Sequence, residues 1–337
     1  MKPIGFVVPA AGDIPSGGHL YNQHLIQALT QIWPGQVVSL ELEAVLSLSE
    51  RERNAREWLV DTLYLEQLRE QGNAFPADHY GLIVHHLGSL EAGNATQQKA
   101  WHDRFEAPMM QPMAYFLCTS PYTAGYLNHL GYSTDKCLVV PPALCMTPDP
   151  VSSAAELRRV LMVANLVERK GILPFLQALQ SQIAQLPFTL QIVGSAQIEP
   201  DYARQVKDWL ASEPEFARAV MLSGPLKGEA VQAAYQQAQV FVSAARMETY
   251  GMALQEAVAF RLPILALDGG NVGFHMEGGE ERGKLVSSDE ELAIALTHLA
   301  TNSALLAQWQ TAAWQHRPYD SYTWAEAARR VAAFFPA

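Results

Sequence analysis

At 337 residues the chain exceeds one ordinary domain and suits two of about 150 residues each. Apolar residues make up 49% and charged residues 17%, against about 25% charged in typical proteins, which describes a well-buried globule rather than a disordered chain. A net charge of −11 excludes wholesale binding to nucleic acid or to an anionic membrane and leaves room only for a local basic patch. Cys118, Cys137 and Cys145, odd in number and without C-x-x-C spacing, read as reduced thiols of a cytoplasmic protein. No stretch approaches the ~20 apolar residues of a membrane span. The apolar run Ile4 to Val8 behind Lys2 is too short for a signal peptide and reads as a first buried strand. Asn94-Ala95-Thr96 matches a glycosylation sequon that has meaning only in a secreted chain.

In chain order, Ile4 to Pro9 predicts a strand. The small-residue loop A-A-G-D-I-P-S-G-G follows, then a helix from about His19 to Ile32. Val37 to Leu40 predicts a second strand. Ser49 with Glu52 forms a capping box that opens a helix expected to run to about Gln71, with Gly72 as its cap. Leu82 to His85, Ala114 to Cys118 and Cys137 to Val140 read as strands. Ser120-Pro121 starts the helix that Gly131 closes. Thr147 to Ser153, T-P-D-P-V-S-S, is the linker expected between residues 1–148 and 149–316.

Beyond it the alternation resumes, with strands at Val160 to Ala164, Thr189 to Val193, Val220 to Leu222, Val240 to Val242, Ile264 to Leu267 and Lys284 to Val286. A final helix, about Thr323 to Phe335 within residues 317–337, has no strand after it and is expected to pack back on the first domain. Apolar strands alternating with helices imply parallel sheets covered on both faces. The fold class is therefore α/β, two Rossmann-like domains facing across a cleft, with ligands beyond the strands' carboxyl ends.

The chemistry concentrates between Ser243 and Glu256, S-A-A-R-M-E-T-Y-G-M-A-L-Q-E. A helix starting near Gly251 leaves Glu248 on the loop at its mouth and sets Glu256 just over one turn inside. Free amides and the positive end of the helix dipole lie between the two carboxylates, so the mouth suits an anion flanked by hydroxyl groups. A sugar, a diphosphate and a ribose in series present that alternation. Arg169-Lys170-Gly171, at the strand-to-helix turn behind Asn165, supplies cations for a diphosphate, although a solvated surface pair would look the same. Ser16-Gly17-Gly18 and Gly269-Gly270-Asn271 are turns where backbone can approach a ligand, and each alone is equally an ordinary tight turn. His85 and His86 close a strand, and neighbours there face opposite ways, so the two do not chelate one metal. No H-E-x-x-H, D-x-D or Cys/His ligand spacing occurs.

Together these residues resemble the retaining GT-B glycosyltransferases of family 4. Glu248-x7-Glu256 with Thr249-Tyr250-Gly251 is similar to that family's E-x7-E signature. Arg169-Lys170-Gly171 resembles its Lys-Gly turn, Ser16-Gly17-Gly18 its N-terminal glycine loop and Gly269-Gly270 its later glycine pair. His86 resembles the histidine that ends the D-x-x-H-x-H strand pattern, and Ser120 the start of the S-x-x-T segment. The resemblance implies that Glu248, His86 and Lys170 are catalytic. It further implies that Gly17, Gly18, Asn165, Arg169, Lys170, Leu226, Glu248, Tyr250, Gly251, Met252, Ala253 and Glu256 bind the donor. Glu256 would hold the ribose, Glu248 the transferred sugar's hydroxyls, Arg169 and Lys170 the pyrophosphate, and the stretch Gly224 to Lys227 the base. Asn165 stands where the family has Arg, Gly273 where it has Glu after the glycine pair, and Arg261 where a glycine ends the signature helix.

The implied reaction moves a hexose from a nucleotide sugar, with UDP-glucose or a similar UDP-sugar as the default, to an acceptor hydroxyl with retention. No metal and no cofactor are expected, because basic residues stand in for a cation. The partners are that donor and an acceptor that is a saccharide, a lipid-linked saccharide or a small molecule. No nucleic acid is expected, and peripheral membrane contact stays open. The loops Asp13 to Pro15 and Leu87 to Phe105 would shape the acceptor pocket. A catalytically silent nucleotide-sugar-binding relative and a nucleotide-sugar epimerase are the alternatives.

Overall fold

The structure, a computed structural model, describes residues 2–10, 16–71, 79–150, 156–183, 186–277, 279–316 and 322–335. Gly72, Asp13 to Pro15 and the end of the expected linker lie outside them. The chain divides into two compact units, Met1–Cys145 with Ser321–Ala337, and Met146–Asp320.

The first unit is built on six strands: β1 (Ile4–Val7), β2 (Val37–Leu40), β3 (Glu57–Asp61), β4 (Tyr80–Val84), β5 (Tyr115–Cys118) and β6 (Cys137–Val139). They pair in the order β2-β1-β3-β4-β5-β6, every pairing parallel. The strands are short and apolar because both sheet faces are covered. On one face Phe6, Leu59, Ile83 and Leu117 meet Tyr21, Leu25 and Leu29 of the helix Gly17–Ile32. The helix Trp324–Phe334 joins this core through Ala327, Ala328 and Val331, and the Trp324 indole N–H donates to the Leu144 carbonyl at 3.1 Å.

One expected element is corrected. The capping box at Ser49 forms, with the Ser49 hydroxyl accepting from the Glu52 N–H, but its helix covers only Glu50–Asn54. The next residues form β3 between β1 and β4, followed by a 3-10 turn Thr62–Tyr64 and a separate helix Leu65–Gln71. Tertiary pairing overrides the helix propensity of this stretch. Gly5 faces Trp58 across the β1–β3 pair, and a Cβ at Gly5 would lie 2.3 Å from the Trp58 ring. A glycine in β1 therefore makes room for a fully buried indole in β3.

The second unit repeats the scheme with β7 (Arg159–Val163), β8 (Thr189–Val193), β9 (Val220–Gly224), β10 (Val240–Ser243), β11 (Ile264–Leu267) and β12 (Gly283–Val286). All pairings are parallel in the order β12-β11-β10-β7-β8-β9. One face packs the helices Ile172–Gln182 and Asp289–Thr301, the other Glu229–Gln237 and Met252–Ala259. The strand order reverses direction between β7 and β10, and ligands of such sheets bind beyond the carboxyl ends at that switch point. The α/β class and the two parallel sheets expected from the alternation are present.

Candidate functional site

The turn after β7 and the loop after β10 are adjacent because their strands are. Behind β7, Asn165 does not point a free carbonyl at a ligand. Its Oδ1 accepts from the Ser195 N–H at 2.8 Å and fixes the turn after β8. Glu168–Lys170 then forms one 3-10 turn that ends at Gly171, whose φ of +63° turns the chain into the helix Ile172–Gln182. A Cβ at Gly171 would sit 2.2 Å from the Ala244 carbonyl oxygen, so only glycine lets this turn press against the loop after β10. The Arg246 N–H donates to the Arg169 carbonyl at 2.9 Å and joins the two segments, while the Arg246 guanidinium pairs with Asp289.

This packing brings Lys170 to Glu248, with Nζ 2.5 Å from Oε1. The two side chains are 14% and 15% exposed, so water screens the pair far less than a surface bridge. Burial pushes the Glu248 carboxyl up, but Lys170, and behind it Arg169, outweigh this and hold it below the ordinary range. Glu248 is therefore a carboxylate at neutral pH. Its backbone is held as well: its N–H donates to the Gly269 carbonyl at 3.3 Å and its carbonyl accepts from the Asn271 N–H at 2.7 Å. Gly270 has φ +66°, and a Cβ there would lie 2.3 Å from the Glu248 oxygen, which explains the glycine pair.

Three residues on, Gly251 takes φ +91° and starts the helix Met252–Ala259, and no side chain caps it. The first amides of that helix, at half-buried Met252 and Ala253, have no intrahelical acceptor and are available to an anion. Tyr250 is buried, its ring edge-on to His275 at 5.1 Å, and its carbonyl accepts from Asn271 Nδ2 at 3.1 Å and from His275 Nε2 at 2.6 Å. Sequence reasoning did not single out His275. Its only signal was a histidine in the loop after the glycine pair. Burial drives the His275 imidazole down to about 4, so it is neutral at physiological pH.

Glu256 lies one turn into the helix at 7% exposure, with Oε2 accepting from the Tyr235 hydroxyl at 2.7 Å. Burial pushes its carboxyl up to about 7 against that hydrogen bond. Leu226, half-buried in the turn after β9, packs on the core that carries Tyr235. Gly273 sits in the 3-10 turn Val272–Met276, with open space where a Cβ would be.

In the first unit the candidates sit beyond the carboxyl ends of β1, β3 and β4. Ser16 caps the helix Gly17–Ile32, its hydroxyl accepting from the His19 N–H. Gly17 is exposed, and a Cβ on Gly18 would lie 3.2 Å from the His85 ring. His85 Nε2 donates to Asn22 Oδ1 at 2.9 Å, and Asn22 Nδ2 donates to buried Asp61 at 2.6 Å. Burial lowers the His85 imidazole despite the Asp61 charge. His86 turns away from this chain and places Nε2 2.7 Å from Glu91 Oε1. Glu91 ends a 3-10 turn, Gly88–Glu91, which Glu106 ties down by accepting from the Ser89 N–H at 3.1 Å. Among the described residues, no group of three or more His, Cys, Asp or Glu side chains is arranged to hold a metal ion.

Residues 158–302 match the family described as glycosyl transferases group 1, and the match lies wholly within the second unit. It contains every donor-binding candidate except Gly17 and Gly18, and every catalytic candidate except His86. A comparison with curated proteins finds no match. Among solved structures the chain is similar to sucrose-phosphate synthase from Thermosynechococcus elongatus, with 19% identity and a TM-score of 0.66 over 99% of this chain and 95% of that one. It is also similar to WaaG, a glycosyltransferase involved in lipopolysaccharide biosynthesis, with 15% identity and a TM-score of 0.64 over 98% of each chain. A third is HepE of Anabaena, in complex with UDP and glucose, with 14% identity and a TM-score of 0.63 over 99% of each chain. At these identities the likeness is one of fold, the two Rossmann-like α/β halves of the GT-B architecture.

Proposed function

We propose that the protein is a retaining, metal-independent hexosyltransferase that takes its sugar from a nucleotide diphosphate donor, UDP-glucose or a close UDP-sugar. The observation that carries this is the Lys170–Glu248 pair at the mouth of an uncapped helix, 2.5 Å apart and mostly buried. A cation, a hydroxyl-accepting carboxylate and free helix amides then converge on one place. The group 1 match over 158–302 supports the reading, as does a fold shared with a protein solved with UDP and glucose.

The leaving diphosphate gains negative charge as the glycosidic bond breaks, while the sugar becomes oxocarbenium-like. Lys170, Arg169 and the amides of Gly251, Met252 and Ala253 meet that charge without having to reorganise. Glu248, ionised, accepts from the transferred sugar's hydroxyls, and Glu256 accepts from the ribose. Leu226 and the turn after β9 receive the base. No side-chain nucleophile is assigned; the acceptor hydroxyl attacks from the leaving-group face and passes its proton to a phosphate oxygen. We assign the acceptor, a saccharide, lipid-linked saccharide or small molecule, to residues 1–148 with His86, and the donor to residues 149–316. We place the reaction in the cytoplasm.

Release of UDP from UDP-glucose without acceptor, followed with and without a chelator, tests the reading. Slow hydrolysis that resists the chelator and falls by about 100-fold in Glu248→Ala is expected. Tight UDP-glucose binding with no turnover under any condition would instead mark a silent relative.

A further inference from the structure

Lys170 and Glu248 lie beyond β7 and β10, and the loop after β11 reaches across to the turn that follows Glu248. Asn271 and His275 both donate to the Tyr250 carbonyl, at 3.1 and 2.6 Å, and so occupy both lone pairs of that oxygen. In a trans peptide the carbonyl and the following N–H point in opposite directions. Fixing the Tyr250 carbonyl therefore fixes the Gly251 N–H on the other side of the same plane. The imidazole also closes over Gly251, where an added Cβ would lie 3.2 Å from His275 Nε2. The clamp is itself braced. His275 is 1% exposed, and its carbonyl accepts from Nη2 of buried Arg282 at 2.6 Å. The backbone N–H of Asn271 takes the Glu248 carbonyl at the other end of the same three residues.

We propose that His275 is a positioning residue for the donor site, acting through the Tyr250–Gly251 peptide to aim the Gly251 N–H at the donor's diphosphate. This rests on the glycosyltransferase reading above. A neutral imidazole suits the task, because it donates a hydrogen bond beside Glu248 without competing with Lys170 for the carboxylate. The loop that carries it has Gly273 where the family resemblance puts a glutamate, and from this loop His275 and Asn271 hydrogen-bond the signature turn.

The test compares His275→Phe, which keeps a ring and removes the donor, with His275→Gln, which keeps an N–H of similar reach. UDP-glucose hydrolysis gives KM and kcat, calorimetry gives UDP affinity, and thermal melting reports folding. Expected for His275→Phe is about a tenfold rise in UDP-glucose KM and UDP Kd, with His275→Gln recovering most of the loss. Equal values for wild type and a folded His275→Phe overturn the proposal, and so does a His275→Gln no better than Phe. If His275→Phe does not fold, Asn271→Ala removes the second donor to the same carbonyl and must raise both constants; unchanged constants again overturn it. Absence of turnover in wild type overturns the enzymatic reading instead, and the UDP calorimetry then decides the fate of His275 on its own.

Discussion

Glu248 and Glu256 are chemically the same residue in opposite electrostatic settings. Lys170 holds Glu248 ionised, whereas Glu256 accepts from the neutral Tyr235 hydroxyl, and burial pushes it up to about 7. A carboxylate accepts hydrogen bonds from both ribose hydroxyls, and its protonated form loses part of that capacity. Donor KM is therefore expected to fall as pH rises from 6 to 8, and Glu256→Gln should flatten the profile; a wild-type KM constant over that range refutes this. The sign for stability is the reverse. A carboxyl whose folded value exceeds its ordinary 4.5 favours the fold at low pH and loses that contribution as pH rises through 7. Glu256→Gln, which still accepts from Tyr235, should therefore be more stable than wild type at pH 8 in denaturant melts, by at most about 3 kcal/mol. The two glutamates, Lys170 and the glycine turns were legible as candidates because each belongs to a short local motif, although the meeting of Lys170 with Glu248 was not. His275, Tyr235 and the Asn165–Ser195 bond were not, since residues far apart in the chain meet there only once the sheet forms.

The signature helix shows what its sequence could and could not announce as an element. Its start near Gly251 and end near Phe260 follow from a glycine and from the apolar spacing. Its termination, however, uses the wrong residue for the job. Arg261 has φ +62° and is the one non-glycine residue with positive φ among those described. The Leu262 N–H reaches the Ala257 carbonyl and the Arg261 N–H that of Val258, both at 3.0 Å, which is the Schellman arrangement that favours glycine at this position. The Arg261 Nη1 is also buried without a hydrogen-bond partner among the described residues. Arg261→Gly should relieve the backbone strain, partly offset by the added freedom of the unfolded chain, for a net gain of about 0.5–1 kcal/mol. The gain should appear as a higher urea midpoint at unchanged slope; a lower midpoint would mean the arginine side chain contributes packing that outweighs the strain. β3 was invisible for the opposite reason. The stretch Glu57 to Asp61 lies between helix-forming residues, and only its slot between β1 and β4 makes it a strand.

At the scale of the molecule, periodicity gave two parallel α/β sheets, but not the order of their strands. That order matters most, since it places the switch point of the second sheet between β7 and β10 and so joins Lys170 to Glu248. Residues 146–320 form a compact unit with cores on both faces of their own sheet. They carry Asn165, Arg169, Lys170, Leu226, Glu248, Gly251 and Glu256 on backbone fixed by contacts internal to that unit, such as Ala244 against Gly171 and Asn271 against Glu248. Under the proposed function, preorganisation for the nucleotide belongs to this unit alone. A fragment of residues 146–320 is then expected to fold and to melt higher with UDP, since ligand at 100 times its Kd adds about 2.7 kcal/mol to the native state. Without Gly17, Gly18 and His86 it should hydrolyse no UDP-glucose. A folded fragment whose melting ignores UDP, beside a full chain that responds, would show that nucleotide affinity needs residues of the first unit.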